Sequence, residues 1–169
     1  MGVNPRKTNT NKKEPCKGDT KNMANSYSQI YIHTTFHVKE GCRIDKTDLP
    51  QLCKYISGIV ESEGGVMIAA GGVSNHIHLL LTLPRTVAVS DYIRKIKANS
   101  SRWIKELGGQ YRAFSWQDGF GVFSVSPSVI EKVVAYINNQ EEHHKKHTYK
   151  DEMISFLNAY HVQYDERYV

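Results

Sequence analysis

His76 and His78 flank a single isoleucine in the run Ser74-Asn75-His76-Ile77-His78-Leu79-Leu80-Leu81, and some sixty residues later Tyr136 and Gln140 enclose Ile137-Asn138-Asn139. Two imidazoles, a phenol and a carboxamide suit metal-assisted attack on a phosphodiester. In a strand, alternate side chains share a face, so His76 and His78 project to one side while Ile77, Leu79, Leu81 and Leu83 project to the other. Two histidines so placed can converge on one ion, and neutral imidazole suits Mn²⁺ or Zn²⁺ better than Mg²⁺. A lone His-x-His is more commonly a pair of polar residues satisfied by backbone partners. The second segment adds weight. Residues 133–140 read as a helix begun after Pro127 and Ser128, and a spacing of four puts Tyr136 and Gln140 on one helical face. A phenol can act as a nucleophile that forms a covalent intermediate, and a glutamine carbonyl oxygen can bind a hard cation. By itself, Tyr-x-x-x-Gln is also found on ordinary amphipathic helices.

The elements that must position these groups are legible from pattern. Residues 26–38 alternate apolar and polar types and read as a strand. Residues 48–62 read as a helix with an apolar stripe of Leu49, Leu52, Cys53, Ile56 and Ile59, ended by Gly64-Gly65. Residues 66–71 and 76–83 read as a hairpin around Gly72-Val73-Ser74-Asn75, closed by Pro84. Residues 87–107 carry Ile93, Ile96, Trp103 and Leu107 at helical spacing before Gly108-Gly109. Residues 112–126 suggest one or two strands broken at Asp118-Gly119, and a last helix spans about 149–159. The order strand, helix, strand, strand, helix, strand is the α+β pattern βαββαβ of a ferredoxin-like or RRM-like (RNA-recognition-like) sheet, with an added tyrosine-bearing helix after it. One face of such a sheet lies under its helices, leaving the other for a site.

A chain of 169 residues, 40% hydrophobic, suits one domain with one core. Residues 1–24 hold six cations (Arg6, Lys7, Lys12, Lys13, Lys17, Lys21) against Glu14 and Asp19, a balance of +4 that leaves only +1 of the chain's +5 for residues 25–169. The expected organisation is therefore a basic, unstructured tail at 1–24 and a single domain at 25–169. Net charge alone is then a weak argument for nucleic acid. No sustained apolar run suggests a secretory signal or membrane anchor. Cys16, Cys42 and Cys53 have neither metal spacing nor a disulfide count, which points to a reducing cytoplasm.

Between 85 and 107 charge is concentrated: Arg85, Arg94, Lys95, Lys97, Arg102 and Lys105 oppose only Asp91 and Glu106. Such a face can track a phosphate backbone or simply be solvated. Lys145 and Lys146 are further candidates for DNA contact, with Arg85, Arg94, Lys97 and Arg102. The neighbouring His143, His144 and His147 read as poor metal ligands, since adjacent histidines on a helix diverge and two lysines repel a cation. His33 and His37 share a face by parity and read as packing residues, as do Trp103 and Trp116.

His76-Ile77-His78 resembles the HUH motif (His, hydrophobic, His). Tyr136 with Gln140, the stretch from Phe114-Ser115-Trp116 to Ser124-Val125-Ser126, and Gln140-Glu141-Glu142-His143-His144-Lys145-Lys146 resemble the small single-tyrosine transposases of bacterial insertion sequences, in the same order. The similarity covers roughly 26–152 and includes relatives associated with repeated palindromic elements. It implies a ferredoxin-like fold with the histidines on a central strand. It also implies Mg²⁺ or Mn²⁺ held by His76, His78 and Gln140, with Tyr136 as the nucleophile forming a 5′-phosphotyrosine. The implied substrate is single-stranded DNA marked by a hairpin, and the implied assembly is a homodimer whose sites combine the histidines of one chain with the tyrosine of the other. A domesticated protein that binds repeated hairpins with little transposition is the alternative. Replication initiators and relaxases share the chemistry but are usually longer and place the tyrosine differently.

Overall fold

Strand β1 (Tyr31–His37) runs through the middle of a four-stranded antiparallel sheet ordered β2-β3-β1-β4, with β2 at Met67–Val73, β3 at His76–Thr82 and β4 at Gly121–Val125. A computed structural model of the protein describes residues 27–168, so the expected basic tail lies outside the described residues. The connectivity is the expected βαββαβ, and the expected fold class holds. Among the described residues, no helix is long and apolar enough to cross a membrane.

Two helices cover one face. Helix α1 (Leu49–Ser62) starts with Pro50 in its first turn, where a missing N–H costs nothing, and buries Leu52, Ile56, Ile59 and Val60. Helix α2 (Val89–Glu106) buries Tyr92, Ile93, Ile96, Ser100 and Ile104. Against them β1 and β3 present Ile32, Phe36, Ile77, Leu79 and Leu81, all at most 4% exposed. Phe114 and Trp116 extend this core beside Phe36, with ring centroids about 5 Å apart. Trp116 Nε1 donates to Ser100 Oγ at 3.0 Å, which satisfies the buried indole. Trp103 is only partly buried and stacks on exposed Tyr55 at 4.8 Å, so of the two tryptophans Trp116 is the core residue.

The opposite face, expected to hold the site and the added tyrosine-bearing helix, is covered by three short helices. Helices α3 (Ile130–Asn138), α4 (Gln140–His143) and α5 (Tyr149–Ala159) follow β4. Ile137 packs with Leu80, Ala69 and Val125, and the Phe156 ring of α5 lies on Phe123 and His33. Leu80 shares the face of the two histidines, which is why β3 is apolar at nearly every position: it is a central strand covered on both sides. The α5 N-terminus is fixed by a capping box in which Thr148 Oγ1 accepts from the Asp151 N–H while Asp151 accepts from the Thr148 N–H.

Three local expectations change. Strand β2 continues to Val73, leaving Ser74-Asn75 as a two-residue turn, because Gly71 and Gly72 tolerate the close pairing with His78 and Ile77. Residues 112–120 form no second strand: a 3₁₀ turn occupies Gly109–Ala113 and only Trp116 bridges to Val38. The tyrosine helix breaks at Asn139 (φ −103°, ψ 19°) before resuming at Gln140.

Candidate active site

The register of the sheet assembles the first part of the site. His76 lies opposite His37, His78 opposite Thr35 and Leu80 opposite His33, so the four histidines of β1 and β3 share the face under α3–α5. On the other flank His78 faces Gly71 of β2. That glycine matters because a Cβ there would lie 2.8 Å from the Ile137 carbonyl oxygen. The absence of a side chain lets α3 settle on the sheet, and Tyr136 arrives with its ring 5.8 Å from His78 and 6.1 Å from His33. Tyr136 and Gln140 do point to one place despite the break between them: Gln140 is 1% exposed and its Nε2 donates to Glu152 Oε1 at 3.3 Å.

Glu152 is the group that sequence reading did not single out. It comes from α5, is 4% exposed and occupies the centre of the cluster. Its Oε1 accepts a short hydrogen bond from the Tyr136 hydroxyl. Its Oε2 lies 3.1 Å from His78 Nε2, 3.6 Å from His76 Nε2 and 3.6 Å from His144 Nε2, while Oε1 is 3.5 Å from His143 Nε2. His143 and His144 do diverge, with rings at 90°, yet both reach Glu152. His144 therefore joins the HUH pair rather than forming a separate cluster with His143 and His147. The ligand-type atoms of His76, His78, His144 and Glu152 all fall within 4.8 Å of one another.

Outer contacts orient the rings. His76 Nδ1–H donates to Asn75 Oδ1 at 2.7 Å, which leaves Nε2 with its lone pair directed at the cluster. His78 Nδ1 is hydrogen-bonded to His33 Nε2 at 2.9 Å, so its Nε2 also faces inward. Six buried polar atoms aimed at this volume have no hydrogen-bond partner: Nε2 of His76, His78, His143 and His144, Gln140 Oε1 and Glu152 Oε2. So many orphans in one place are unusual in a native fold and indicate a site built for a further group.

Electrostatics agree. Burial, then the neighbouring His78 and His144, holds His76 down to about 3, and burial with His78 does the same to His33. The His76–Glu152 contact is therefore not an ion pair at neutral pH. Burial pushes the Glu152 carboxyl up, but its contacts with His78 and Tyr136 outweigh this and hold it at about 2. Burial, with the adjacent Glu152 carboxylate, raises the Tyr136 phenol well above its ordinary value, so it rests protonated.

The basic candidates sit elsewhere and differ in character. Lys97 Nζ donates to the Gln117 carbonyl at 2.6 Å and to that of Gly119, and lies 5.5 Å from the Phe36 ring. It braces the 117–119 loop rather than standing as a free cation. Arg94 pairs with Asp91 at 3.0 Å and Lys145 with Glu142 at 2.6 Å, both exposed pairs of little strength. Arg85, Arg102 and Lys146 are exposed.

Glu152 left a trace in the sequence: it is a carboxylate within the apolar stripe Tyr149, Met153 and Phe156 of α5, a position where a charge needs a partner. His33 was within reach too, since parity already placed it with His37. Only the strand register puts that face against His78.

Comparison with known proteins bears on this arrangement. No curated protein matches the chain. Among solved structures, a candidate transposase from Deinococcus radiodurans R1 aligns over 69% of this chain and 94% of its own, with 19% identity and a TM-score of 0.53. A REP-associated tyrosine transposase, solved bound to a REP hairpin, aligns over 70% of this chain and 71% of its own, again at 19% identity and TM-score 0.53. At that identity these likenesses speak for the fold. The family model described as "Transposase IS200 like" matches residues 26–140, from the strand that carries His33 through the HUH pair and Tyr136 to Gln140. With two thirds of its length matched to that model, and with His76, His78, Tyr136 and Gln140 inside the match, the chain belongs to the IS200-like transposase family.

Proposed function

We propose that this transposase cleaves and rejoins single-stranded DNA at hairpin-marked ends through a 5′-phosphotyrosine on Tyr136, with a divalent cation, Mg²⁺ or Mn²⁺, held by His76, His78 and Gln140. The observation that carries the reading is the convergence of the Tyr136 hydroxyl with buried, unpartnered His76 Nε2, His78 Nε2 and Gln140 Oε1 on one small volume. Two imidazole nitrogens and a carboxamide oxygen fit a divalent ion, and their lone pairs have no other use in the fold. When bound, the cation supplies charge neutralisation for the non-bridging oxygens of the scissile phosphate.

The chain's own residues account for the rest. The Tyr136 oxygen forms a bond to phosphorus while the bond from phosphorus to the 3′-oxygen breaks, and the departing 3′-oxygen takes up one proton from solvent, equal to the one that Tyr136 gives up, to leave as a 3′-hydroxyl. The phenolic proton is already directed at Glu152 Oε1, the acceptor that faces it. Because the phosphotyrosine keeps the ester linkage, another 3′-hydroxyl can attack it and join strands without a nucleotide cofactor. His33 and Asn75 keep the two imidazoles turned inward. The hairpin-bound state of the REP-associated relative supports a hairpin as the recognised feature.

The set is complete within one chain, which supports Tyr136 acting beside its own histidines. A homodimer, expected from the resemblance, would then join two complete sites in the domain at 25–169.

The test is incubation of the protein with labelled hairpin-bearing single-stranded DNA from its genomic flank and Mg²⁺ or Mn²⁺, followed by denaturing electrophoresis. A denaturant-resistant adduct, lost in Tyr136→Phe and in His78→Ala, is expected. Hairpin binding without any adduct would move the reading to a hairpin-binding protein that has given up transposition.

A further inference from the structure

We propose that the cation seat is completed from beyond the family match, by His144 of the α4 C-terminus and Glu152 of α5, giving a His76, His78, His144 and Glu152 centre for a borderline transition ion. The inference rests on the reading of His76 and His78 as ligands, puts His144 and Glu152, both outside the matched segment 26–140, in the place of Gln140, and leaves the scissile phosphate to enter as a fifth ligand.

Distances carry the argument. An ion bound at about 2.1 Å by imidazole and carboxylate ligands in a tetrahedron separates neighbouring donor atoms by about 3.4 Å. The Glu152 Oε2 separations from the three Nε2 atoms are 3.1, 3.6 and 3.6 Å. These bracket that edge length, and all four ligand atoms lie within 4.8 Å of one another. Hydrogen bonding explains little of the arrangement: of the three Glu152 Oε2 contacts only that with His78 Nε2, at 3.1 Å, is of hydrogen-bond length, and none of His76 Nε2, His78 Nε2, His144 Nε2 and Glu152 Oε2 has a hydrogen-bond partner of good geometry. His76 and His78 are fully buried and Glu152 is 4% exposed, so water does not satisfy them from outside. A carboxylate buried among imidazole lone pairs is a costly arrangement for a fold to keep unless a cation completes it.

The donor set sets the class of ion. Three imidazoles and one carboxylate favour Zn²⁺, Co²⁺ or Mn²⁺ over Mg²⁺, which takes oxygen ligands and keeps its waters. Glu152 also contacts the nucleophile through its other oxygen. One carboxylate thus ties the position of Tyr136 to occupancy of the seat.

The test is titration of the full, metal-free chain with Co²⁺, read by calorimetry and by visible absorption, for the parent, Glu152→Gln, His144→Ala and His78→Ala. Far-ultraviolet circular dichroism checks that each variant is folded. Loss of one ligand is expected to weaken Co²⁺ at least tenfold in both Glu152→Gln and His144→Ala and to shift the cobalt bands. The parent's spectrum is an independent measure should a variant misfold: intense bands of four-coordinate cobalt are expected, and the weak bands of a six-coordinate, water-rich ion would overturn the proposal. Unchanged affinity in Glu152→Gln and His144→Ala, with affinity lost in His78→Ala, would also overturn it while leaving the two-histidine reading intact. Tighter binding in Glu152→Gln would identify Glu152 as an obstruction and overturn it as well. Unchanged affinity in His78→Ala would sink the two-histidine reading and this proposal together.

Discussion

Gly71→Ala separates the positioning of the nucleophile from its chemistry. Gly71 sits on β2 opposite His78, and an added Cβ would stand 2.8 Å from the Ile137 carbonyl oxygen and 3.1 Å from Ile137 Cγ2. The backbone contact is about 0.6 Å short of the 3.4 Å at which ordinary van der Waals contact begins. Ile137 is one residue from Tyr136, so relief requires α3 to lift from the sheet and carry the phenol with it. Overpacking of this kind costs about 1–3 kcal/mol, which for a chain of this size lowers Tm by about 2–12 °C. Misplacement of a reacting group by about 1 Å can cost on the order of 10²-fold, so a shift of this size is expected to slow adduct formation roughly tenfold. Scanning calorimetry gives the first number and single-turnover adduct kinetics at saturating metal give the second. Gly58→Ala is the control: Gly58 is exposed in the middle of α1 with nothing within 4 Å of its would-be Cβ, so it should gain up to about 1 kcal/mol and leave the rate unchanged. Equal stability and equal rate in Gly71→Ala and the parent would refute the argument that α3 is seated through this glycine.

Three further outcomes follow from the same structure. The metal-free protein should lose stability as pH falls: His33 and His76 have folded values near 3, below the ordinary 6.5. The unfolded chain therefore takes up protons first, so stability is full above 6.5 and falls as pH drops from 6.5 toward 3. At pH 5.5 the two together should cost about 3 kcal/mol, measurable by chemical denaturation at pH 7.5 and 5.5. Lys97→Met should lower Tm by releasing the 117–119 loop, whereas Arg102→Ala should leave Tm alone, weaken single-stranded DNA binding and reduce the slope of log affinity against log salt by about 1; equal Tm for both variants would contradict the distinction. Trp116→Phe should destabilise by about 0.5–1.5 kcal/mol through loss of the indole donation to Ser100, and no change in a urea titration would argue against that bond's role.

Much of the fold was legible because each element announced itself. The apolar stripe of α1, the unbroken apolar run of β3 and the helical spacing of α2 are strong local patterns, and β3's run already hinted at a strand covered on both sides. The HUH pair and the Tyr136 and Gln140 spacing were readable for the same reason: two and four residues are the periods of strand and helix. What local pattern could not supply was the third layer. Glu152 and His144 reach the cluster because α5 and the α4 terminus fold back over the sheet, and nothing in the spacing of His143, His144 and His147 reveals that one of them would meet β3. The stretch 112–120 misled because its aromatics pack as core without pairing as a strand. Likewise Lys97 reads as a phosphate contact by type and becomes a loop brace only once the carbonyls of Gln117 and Gly119 are placed beside it.

The central claim is that Tyr136 itself becomes bonded to DNA. Trypsin digestion of the adduct formed on hairpin-bearing single-stranded DNA should release the peptide of residues 133–145, and tandem mass spectrometry can locate a nucleotide mass on it. The account predicts that mass on Tyr136 through a 5′-phosphate, with a free 3′-hydroxyl on the released strand. A modification on another residue, or cleavage of the DNA with residues 133–145 left unmodified, would contradict it.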